Sequence, residues 1–282
     1  VRSDANRGYA GGMNLGWEAR NEDSRYVAFL NNDLIIEQGS LRKLIEHMEG
    51  EEKLAAVNGL IYFGDGERVF SVGGWIDELL IGGNICDGLS VSECSDINKE
   101  HYVTYANGAY MLVKAEAVRK ACPNGKPFIE ETFLYLDDNL LGLILWNRGY
   151  KIKYVPINSG VHFVNMTTRG SKATYYGTRG STAPWYLTKT KYSNLKWLWL
   201  LRRKLYLFFI DKDLYGAVKD GVRLGMKLRD MLGTLNLYCA PYVKVNWLDA
   251  IEELTLVRHY LRRRGVYAVK PADLTYDPSA CR

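Results

Sequence analysis

The stretch YVAFLNNDLII is an apolar, strand-like run that ends abruptly in three polar residues, Asn31, Asn32 and Asp33. Polar side chains at the end of a buried strand cost free energy unless they find partners. In open α/β sheets, ligands bind beyond the carboxyl ends of the strands. A carboxylate there suits a hard divalent cation that bridges to a diphosphate. The alternative is that Asp33 only caps the following helix.

An acidic pair, Asp137 and Asp138, opens an apolar stretch that runs through Trp146 and is stopped by Gly149. Repulsion between adjacent carboxylates raises the pKa of one of them, which suits a general base that works near neutral pH. The alternative is again structural, because acidic side chains at a helix N-terminus are stabilised by the helix dipole.

The elements around these residues follow a strand–helix–strand order. A strand at Tyr26–Leu30 precedes a helix that Ser40 caps and Gly50 ends, and LAAVNGLIYF forms the next strand. This order predicts a βαβ unit and an α/β fold with a mostly parallel sheet flanked by helices. Before it, the glycine-rich segment GYAGGMNLG runs into a helix around residues 15–20.

Composition limits the class of protein. The 282 residues are 47% hydrophobic, so they can bury a sizeable core, and the net charge is only +5. We expect no membrane-spanning helix, because no run of 18 apolar residues occurs, and no nucleic-acid motif is recognised. The five cysteines are odd in number and form no CxxC pair, which predicts reduced thiols and a cytoplasmic location. They are Cys86, Cys94, Cys122, Cys239 and Cys281.

The motifs NRGYAGGMNLGWEAR and YVAFLNNDLII together resemble the family-2 glycosyltransferases of the GT-A fold, in particular their rhamnosyltransferase-like branch. The resemblance implies that Asp33 ligates Mg²⁺ or Mn²⁺ on the diphosphate of a nucleotide sugar. Asn31 replaces an Asp of some family members and would contact the sugar or ribose without holding metal. From this part of the chain, the residues implied to lie at the donor are Asn6, Gly12, Asn14, Asn31 and Asn32.

Two later motifs continue the resemblance. NGAYMLVKAEAV is similar to the segment that lines the sugar site in the family, which assigns Gly108 and Ala109 to that site. FIEETFLYLDDNLLG resembles the motif of the catalytic base, which falls on Asp138, while Asp137 replaces the usual Glu. Leu140 stands where the family has another Asp, so the surrounding polar network differs from the family pattern.

The segment after the base motif would serve the diphosphate. His162 follows a strand, as a histidine does in the family, and the resemblance places it at the metal or the diphosphate. The alternative is a structural hydrogen-bonding role, which is common for a lone histidine. Arg179 matches the arginine of a YYxxR motif and would clamp the diphosphate, although Gly180 replaces the usual Asn.

The implied reaction is inverting transfer of a hexosyl or rhamnosyl group from a nucleotide-diphosphate sugar to a glycan or lipid-linked acceptor. Asp138 would take the proton of the acceptor hydroxyl. A non-catalytic nucleotide-sugar binding or scaffold protein is the alternative. A sugar-phosphate nucleotidyltransferase is a third reading, but its glycine-rich loop with a Lys/Arg signature is not visible in the sequence. Because the family places two further βα units before this motif, we expect residues 1–187 to be an N-terminally incomplete catalytic domain.

Residues 188–282 form a basic, aromatic region that we expect to be helical. Trp197 and Trp199 stand close to Arg202 and Arg203, a composition that suits an interfacial helix on an anionic membrane. The same residues would equally suit packing on the catalytic domain or on a second subunit of a homo-oligomer. Both explanations stay open from the sequence.

Overall fold

The computed structural model describes residues 1–164, 170–210, 213–254 and 268–281. The helices in chain order are α1 (Gly8–Glu18), α2 (Ser40–Glu49), α3 (Ala115–Ala121), α4 (Asp137–Asn147), α5 (Ser171–Thr182), α6 (Pro184–Leu187), α7 (Lys196–Ile210), α8 (Asp213–Leu232) and α9 (Trp247–Leu254). The strands are β1 (Tyr26–Leu30), β2 (Leu34–Ile36), β3 (Leu54–Phe63), β4 (Val69–Ser71), β5 (Gly74–Ile76), β6 (Gly82–Asn84), β7 (His101–Tyr102), β8 (Tyr110–Lys114), β9 (Lys151–His162), β10 (Thr188–Lys189), β11 (Leu235–Asn236), β12 (Tyr242–Val243) and β13 (Leu274–Thr275).

A mixed seven-stranded sheet forms the centre, with the strand order β1-β8-β3-β9-β2, and with β4 paired to β3 and β7 paired to β9. The predicted α/β class, with helices on the sheet and a C-terminal helical region, is confirmed. The predicted predominance of parallel pairing is wrong. Among the described strands of this sheet, β3 and β9 pair in parallel, and the other neighbours pair antiparallel.

The position of β8 explains this difference. The predicted strand–helix–strand unit is present as β1, α2 and β3. However, β8 lies between β1 and β3 and pairs antiparallel with both. The two strands of the unit therefore run in the same direction without touching each other, and each gains an antiparallel neighbour instead.

Alternating side chains along the strands build a core on both faces of the sheet. Val57 of β3 and Leu112 of β8 pack in one cluster with Leu44 and Met48 of α2. The next residue along β3, Ala56, belongs to the larger cluster on the opposite face, which includes residues of α1, α3 and α4. The packed sheet therefore fixes the position of the polar residues that follow β1 and of the turn that precedes β8.

The glycine-rich segment is itself helical, because α1 begins at Gly8 and not near residue 15 as the sequence suggests. Gly8 has a φ of +68°, and a Cβ atom there would lie 2.2 Å from the carbonyl oxygen of Phe133. That carbonyl accepts a hydrogen bond from the amide of Tyr9 at 2.8 Å. A glycine is therefore required at the start of α1, where the helix meets the segment that precedes α4.

The C-terminal region is joined to the sheet region through a buried carboxylate. Glu78 is 3% exposed and accepts hydrogen bonds from the amide of Val245 at 2.8 Å and from the hydroxyl of Tyr238 at 3.1 Å. Lys191 pairs with the same carboxylate at 2.6 Å. The boundary predicted near residue 187 stays a prediction. Within the described residues, none of the helices combines the length and the apolar composition that a membrane crossing requires.

The prediction of reduced cysteines is wrong for four of the five. Disulfides join Cys86 to Cys94 and Cys239 to Cys281, and Cys122 remains as a buried free thiol. The second bond ties a residue close to the chain end to the turn before β12. The spacing in the sequence gave no sign of the second bond, since residues 42 apart are brought together only by the folded C-terminal region.

Candidate functional site

Asp33 and His162 form one half of the site. Backbone pairing places them side by side, because Leu34 of β2 stands opposite His162 of β9. The Asp33 carboxylate lies 2.9 Å from Nε2 of His162, and the amide Nδ2 of Asn31 lies 3.3 Å from the same ring nitrogen. The Phe70 ring packs edge-on against the imidazole at 4.6 Å. Asp33 and Asn31, both predicted to serve metal or donor, thus both contact His162.

The His162 ring has hydrogen-bonding needs that its surroundings leave unmet. Nδ1 is buried and has no hydrogen-bond partner among the described residues. Nε2 faces both the carboxylate of Asp33, which needs a donor, and the amide of Asn31, which offers one, and a single ring nitrogen cannot satisfy both. Burial lowers the pKa of His162, although the neighbouring Asp33 opposes this shift, so the neutral, metal-binding form is favoured.

These groups fit a divalent cation that is held mainly by its substrate. Carboxylate and imidazole are both ligands of Mn²⁺, and carboxylate is a ligand of Mg²⁺. In the part of the chain that the structure describes, no cluster of three or more His, Cys, Asp or Glu side chains forms a complete ligand set. Asp33 and His162 would therefore supply two ligands, and phosphate oxygens and water would supply the others.

Asp138 forms the other half, at the first turn of α4. Its Oδ2 accepts a hydrogen bond from the amide of Gly108 at 3.1 Å, and its Oδ1 accepts one from the amide of Asn139 at 2.9 Å. The hydroxyl of Tyr9 donates to the carbonyl of Gly108 at 2.8 Å. A Cβ atom at Gly108 would lie 3.1 Å from that hydroxyl and 3.3 Å from Asp138, so a larger residue here would require both groups to shift by a few tenths of an ångström.

A short turn before β8 connects the two halves. The backbone amide of Asn31 donates to the backbone carbonyl of Ala109 at 2.9 Å. Ala109 directly follows Gly108, whose backbone amide donates to Asp138. Leu30 at the end of β1 pairs with Tyr110 at the start of β8. Asp33 and Asp138 therefore lie at the same end of the sheet, beyond the carboxyl end of β1. The structure therefore brings Asp33, His162, Asn31, Gly108, Ala109 and Asp138 together.

Asp137 differs from Asp138 in exposure and in partners. Asp137 is 5% exposed, and burial raises its pKa to about 6; the charge of Asp138 adds to this shift, while the hydroxyl of Thr132, which donates to Asp137, opposes it. Burial also raises the pKa of Asp138, whose side chain is only partly buried. The predicted repulsion between the two carboxylates is present, but burial is the larger cause. The accessible member of the pair is Asp138.

Four other predicted donor residues lie in different settings. Asn14 is 1% exposed, and its amide exchanges two hydrogen bonds with the backbone of Phe128, at 2.7 and 3.2 Å, which leaves it a structural role. Asn6 is exposed and accepts a hydrogen bond from the amide of Gly8 at the start of α1. Gly12 is exposed, with open space where a Cβ atom would lie, and Asn32 is exposed beside Asp33.

Arg179 is held away from the metal pair. Its guanidinium donates to the backbone carbonyl of Thr132 at 3.0 Å and to that of Glu131. It lines a cavity of about 520 Å³ between α5, α8 and the short helix Glu130–Thr132, and neither Asp33 nor Asp138 lines that cavity. The cavity and Tyr9 are the features that sequence reasoning missed. For Tyr9, its place in the glycine-rich motif was the available signal.

The backbone between the cavity and Asp138 is strained. Phe133 and Tyr135 have φ values of +63° and +64°, which bulky residues rarely adopt. Such strain costs about 1–3 kcal/mol per residue and persists where the surroundings fix it, commonly at functional sites. Here the carbonyl of Phe133 is fixed by α1, and the carbonyl of Tyr135 lies so close to Gly180 that a Cβ atom would be 2.1 Å away.

Comparison with known proteins agrees with the motifs. Residues 1–87 match the family model described as Glycosyl transferase family 2. No curated protein matches the chain. One similar solved structure is that of GalNAc-T7 with UDP, GalNAc and Mn²⁺, with 12% sequence identity and a TM-score of 0.49; the match covers 82% of this chain and 44% of that one. The family resemblance expected from the motifs is thereby confirmed over residues 1–87, the part of the chain that carries Asp33.

Proposed function

We propose that this chain transfers a sugar from a nucleotide-diphosphate sugar to a hydroxyl group of a glycan or lipid-linked acceptor, with inversion at the anomeric carbon. The observation that carries the proposal is the shared edge of the sheet. There the Asp33–His162 pair and the accessible carboxylate of Asp138 are joined through Gly108 and Ala109. A diphosphate and a proton acceptor can therefore reach the same sugar. Transfer of a hexosyl or rhamnosyl group is the specific class that the motifs favour.

Asp138 acts as the general base. Its carboxylate accepts the proton of the acceptor hydroxyl while the oxygen attacks the anomeric carbon from the side opposite the leaving nucleoside diphosphate. The hydrogen bonds from Gly108 and Asn139 fix the carboxylate in place. Its raised pKa makes it a stronger proton acceptor than an exposed aspartate. Asp137 contributes by holding the start of α4 through Thr132 and by adding negative charge beside the base.

Asp33 and His162 would hold Mg²⁺ or Mn²⁺ at the diphosphate. When bound, the cation neutralises the negative charge that grows on the leaving group. Asn31 contacts His162 and would contact the sugar or ribose. Exposed Asn32, Asn6 and Gly12 remain candidates for the outer part of the donor site. Arg179 would reach the diphosphate only after leaving the carbonyl groups that it now binds.

The cellular compartment in which the protein works is inferred from its cysteines and not from the glycosyltransferase motifs. A cytoplasmic location was expected from reduced thiols, and two disulfides remove that basis. Because disulfides form and persist in oxidising compartments, we infer that the protein works in such a compartment. Contact with a membrane surface is supported by exposed apolar side chains on α7, where Trp197, Leu201 and Leu205 are 49–63% exposed and recur at a helical spacing of four. The alternative is that this apolar face of α7 packs against a second copy of the chain in a homo-oligomer.

Thermal stabilisation by nucleoside diphosphates tests the donor site. We would screen UDP, GDP, ADP and dTDP with Mn²⁺, Mg²⁺ or EDTA, because a ligand at 100 times its Kd stabilises the folded state by about 2.7 kcal/mol. We expect stabilisation by one nucleotide with metal, its loss in Asp33→Asn, and its retention in Asp138→Asn. Asp23→Asn is the matched control, since it removes an exposed carboxylate from the turn before β1. Stabilisation that survives in Asp33→Asn would contradict the donor site.

A transfer assay then separates an enzyme from a binding protein. With the nucleotide identified, release of nucleoside diphosphate from the matching nucleotide sugar is measured in the presence of candidate acceptors. Asp138→Asn is expected to lose at least about 100-fold in rate while nucleotide binding stays intact. Unchanged transfer in this variant would show that another group is the base, and binding without any transfer would favour the scaffold alternative.

A further inference from the structure

The cavity between α5, α8 and the short helix Glu130–Thr132 has the lining of a carbohydrate-binding site. Its volume of about 520 Å³ lies within the range of small-molecule sites in proteins. Its wall combines three aromatic rings with six charged side chains. Sugar rings need both kinds of surface, because a pyranose has an apolar face of C–H groups and a rim of hydroxyl groups that donate and accept hydrogen bonds.

The aromatic wall is held in a fixed geometry. Phe133 and Tyr176 stack with ring centroids 4.7 Å apart and an angle of 24°, and Tyr175 stands edge-on to Tyr176 at 5.3 Å and 89°. All three rings are only partly buried. Phe133 has a φ of +63°, and its ring lies against Tyr176 of α5. A rigid aromatic surface that faces a cavity loses little conformational entropy when a ligand stacks on it.

The charged side chains of the wall are balanced in sign, and most of them are already paired. Three lining residues are cationic (Arg179, Arg223, Lys227) and three are anionic (Glu130, Glu131, Asp220), so their formal charges sum to zero. Ion pairs join Lys227 to Glu131 at 2.7 Å and Arg223 to Asp220 at 3.3 Å. Glu130 pairs with Arg7, which lies outside the lining, at 2.8 Å, and Arg179 donates to backbone carbonyls. A phosphate or nucleotide site would need an excess of positive charge. A balanced set of donors and acceptors instead suits a neutral ligand with many hydroxyl groups.

Hydrogen bonds link this cavity to the catalytic edge. Arg179 donates to the carbonyl of Thr132, and the hydroxyl of Thr132 donates to Asp137, the neighbour of the base Asp138. Only residues 134–136 separate Phe133 from these carboxylates along the chain. A ligand in the cavity therefore lies on the segment that positions the base.

We propose that this cavity is a binding subsite for a neutral saccharide, namely a sugar unit of the acceptor distant from the hydroxyl that reacts. The assignment of this saccharide as part of the acceptor rests on the proposed function, but the binding of a saccharide to the cavity does not. Phe133 and Tyr176 provide the stacking surface, and the paired charged side chains exchange hydrogen bonds with the hydroxyl groups of the sugar. The subsite selects acceptors longer than one sugar.

Direct binding to the whole chain tests the subsite. The probes are neutral trisaccharides built from glucose, galactose, mannose or rhamnose, with a trisaccharide that carries one glucuronic acid as the charged comparison. Saturation-transfer NMR at millimolar sugar reports binding, and titration gives the Kd. We expect at least one neutral trisaccharide to bind, and to bind more tightly than the charged one. Binding of none of them, or preference for the charged sugar, overturns the proposal.

Variants at Tyr176 locate the binding. Tyr176→Ala removes the partly buried ring from a helix that tolerates alanine, and we expect affinity for the bound trisaccharide to fall about fivefold. Tyr176→Phe keeps the ring and should keep the affinity within about twofold. Equal affinity in the alanine variant and the unaltered protein would place the sugar elsewhere. If Tyr176→Ala does not fold, Arg223→Trp, which places a bulky ring at an exposed lining position of α8, provides the same readout.

Two readouts separate this proposal from the proposed function. Metal-dependent stabilisation by nucleoside diphosphate should be unchanged in Tyr176→Ala, because the cavity does not include Asp33 or His162. If nucleotide binding is absent but trisaccharide binding depends on Tyr176, the proposed function fails and the subsite stands. If nucleotide binding and transfer are present but Tyr176→Ala weakens neither trisaccharide binding nor transfer to long acceptors, the subsite fails and the proposed function stands.

Discussion

Asp137→Asn is expected to stabilise the protein at neutral pH and to have little effect in acid. Burial raises the pKa of Asp137 to about 6, against an ordinary value of 3.8. Ionising this group therefore costs the folded state about 3 kcal/mol, from 1.36 kcal/mol for each of about 2.2 pKa units. Asparagine avoids this cost and can still accept the hydrogen bond from Thr132 through its amide oxygen.

The pH window follows from proton binding. Between about pH 4 and pH 6 the folded protein holds a proton on Asp137 that the unfolded chain has lost, so stability falls as the pH rises through this range. Above pH 6 both states are ionised, and the penalty stays constant. The stability difference between Asp137→Asn and the unaltered protein should therefore be near zero at pH 4 and reach up to about 3 kcal/mol at pH 7.5.

Urea unfolding at pH 4, 5, 6 and 7.5 measures this difference, with the fluorescence of the tryptophans as the signal. Asp23→Asn is the control, because the same change in an exposed turn should give no pH-dependent difference. A stability difference for Asp137→Asn that stays constant from pH 4 to 7.5 would refute the assignment of a costly buried carboxylate. A loss of stability at pH 7.5 would show that the ionised form is needed to hold α4.

Three further outcomes are expected. Replacing Cys239 and Cys281 by serine should cost about 4 kcal/mol, because the bond closes a loop between residues 42 apart, and thermal unfolding with and without reductant measures this. Gly8→Ala should destabilise by more than about 1 kcal/mol, since its φ is +68° and a backbone carbonyl lies in the way, whereas Gly12→Ala in the same helix has open space and should be neutral or stabilising in urea unfolding. The transfer rate should fall in acid at a pH above the ordinary aspartate pKa, because burial raises the pKa of Asp138 and the base must be ionised; a rate that stays constant down to pH 4 would exclude Asp138 as the base.

Local patterns predicted the individual elements of the sheet region well. The strand at Tyr26–Leu30, the helix from Ser40 and the strand at Leu54–Phe63 were all visible from periodicity, although the N-cap of the helix is Gly39 and not the predicted Ser40. The neighbours in the sheet were not, because β8 reaches its place between β1 and β3 only after a long excursion through β4–β7. Strand order depends on contacts between residues far apart in sequence, and a local pattern carries no information on them.

The candidate site shows the same division. The motifs assigned Asp33, Asn31 and His162 to one site, and the structure brings these residues together across about 130 residues of sequence. They did not show that the amide of Asn14 is consumed by the backbone of Phe128, 114 residues away. Nor did they show the cavity at Arg179, since its wall is formed by two helices and a strained turn that meet only in the folded chain.

The bond between Cys239 and Cys281 also changes what a protease can do to this molecule. A single cut of the backbone between these cysteines leaves two pieces that remain covalently attached. The nicked molecule would migrate as one species in a non-reducing gel and would release its C-terminal fragment only after reduction. Integrity judged without a reducing agent would therefore overlook damage in this part of the chain.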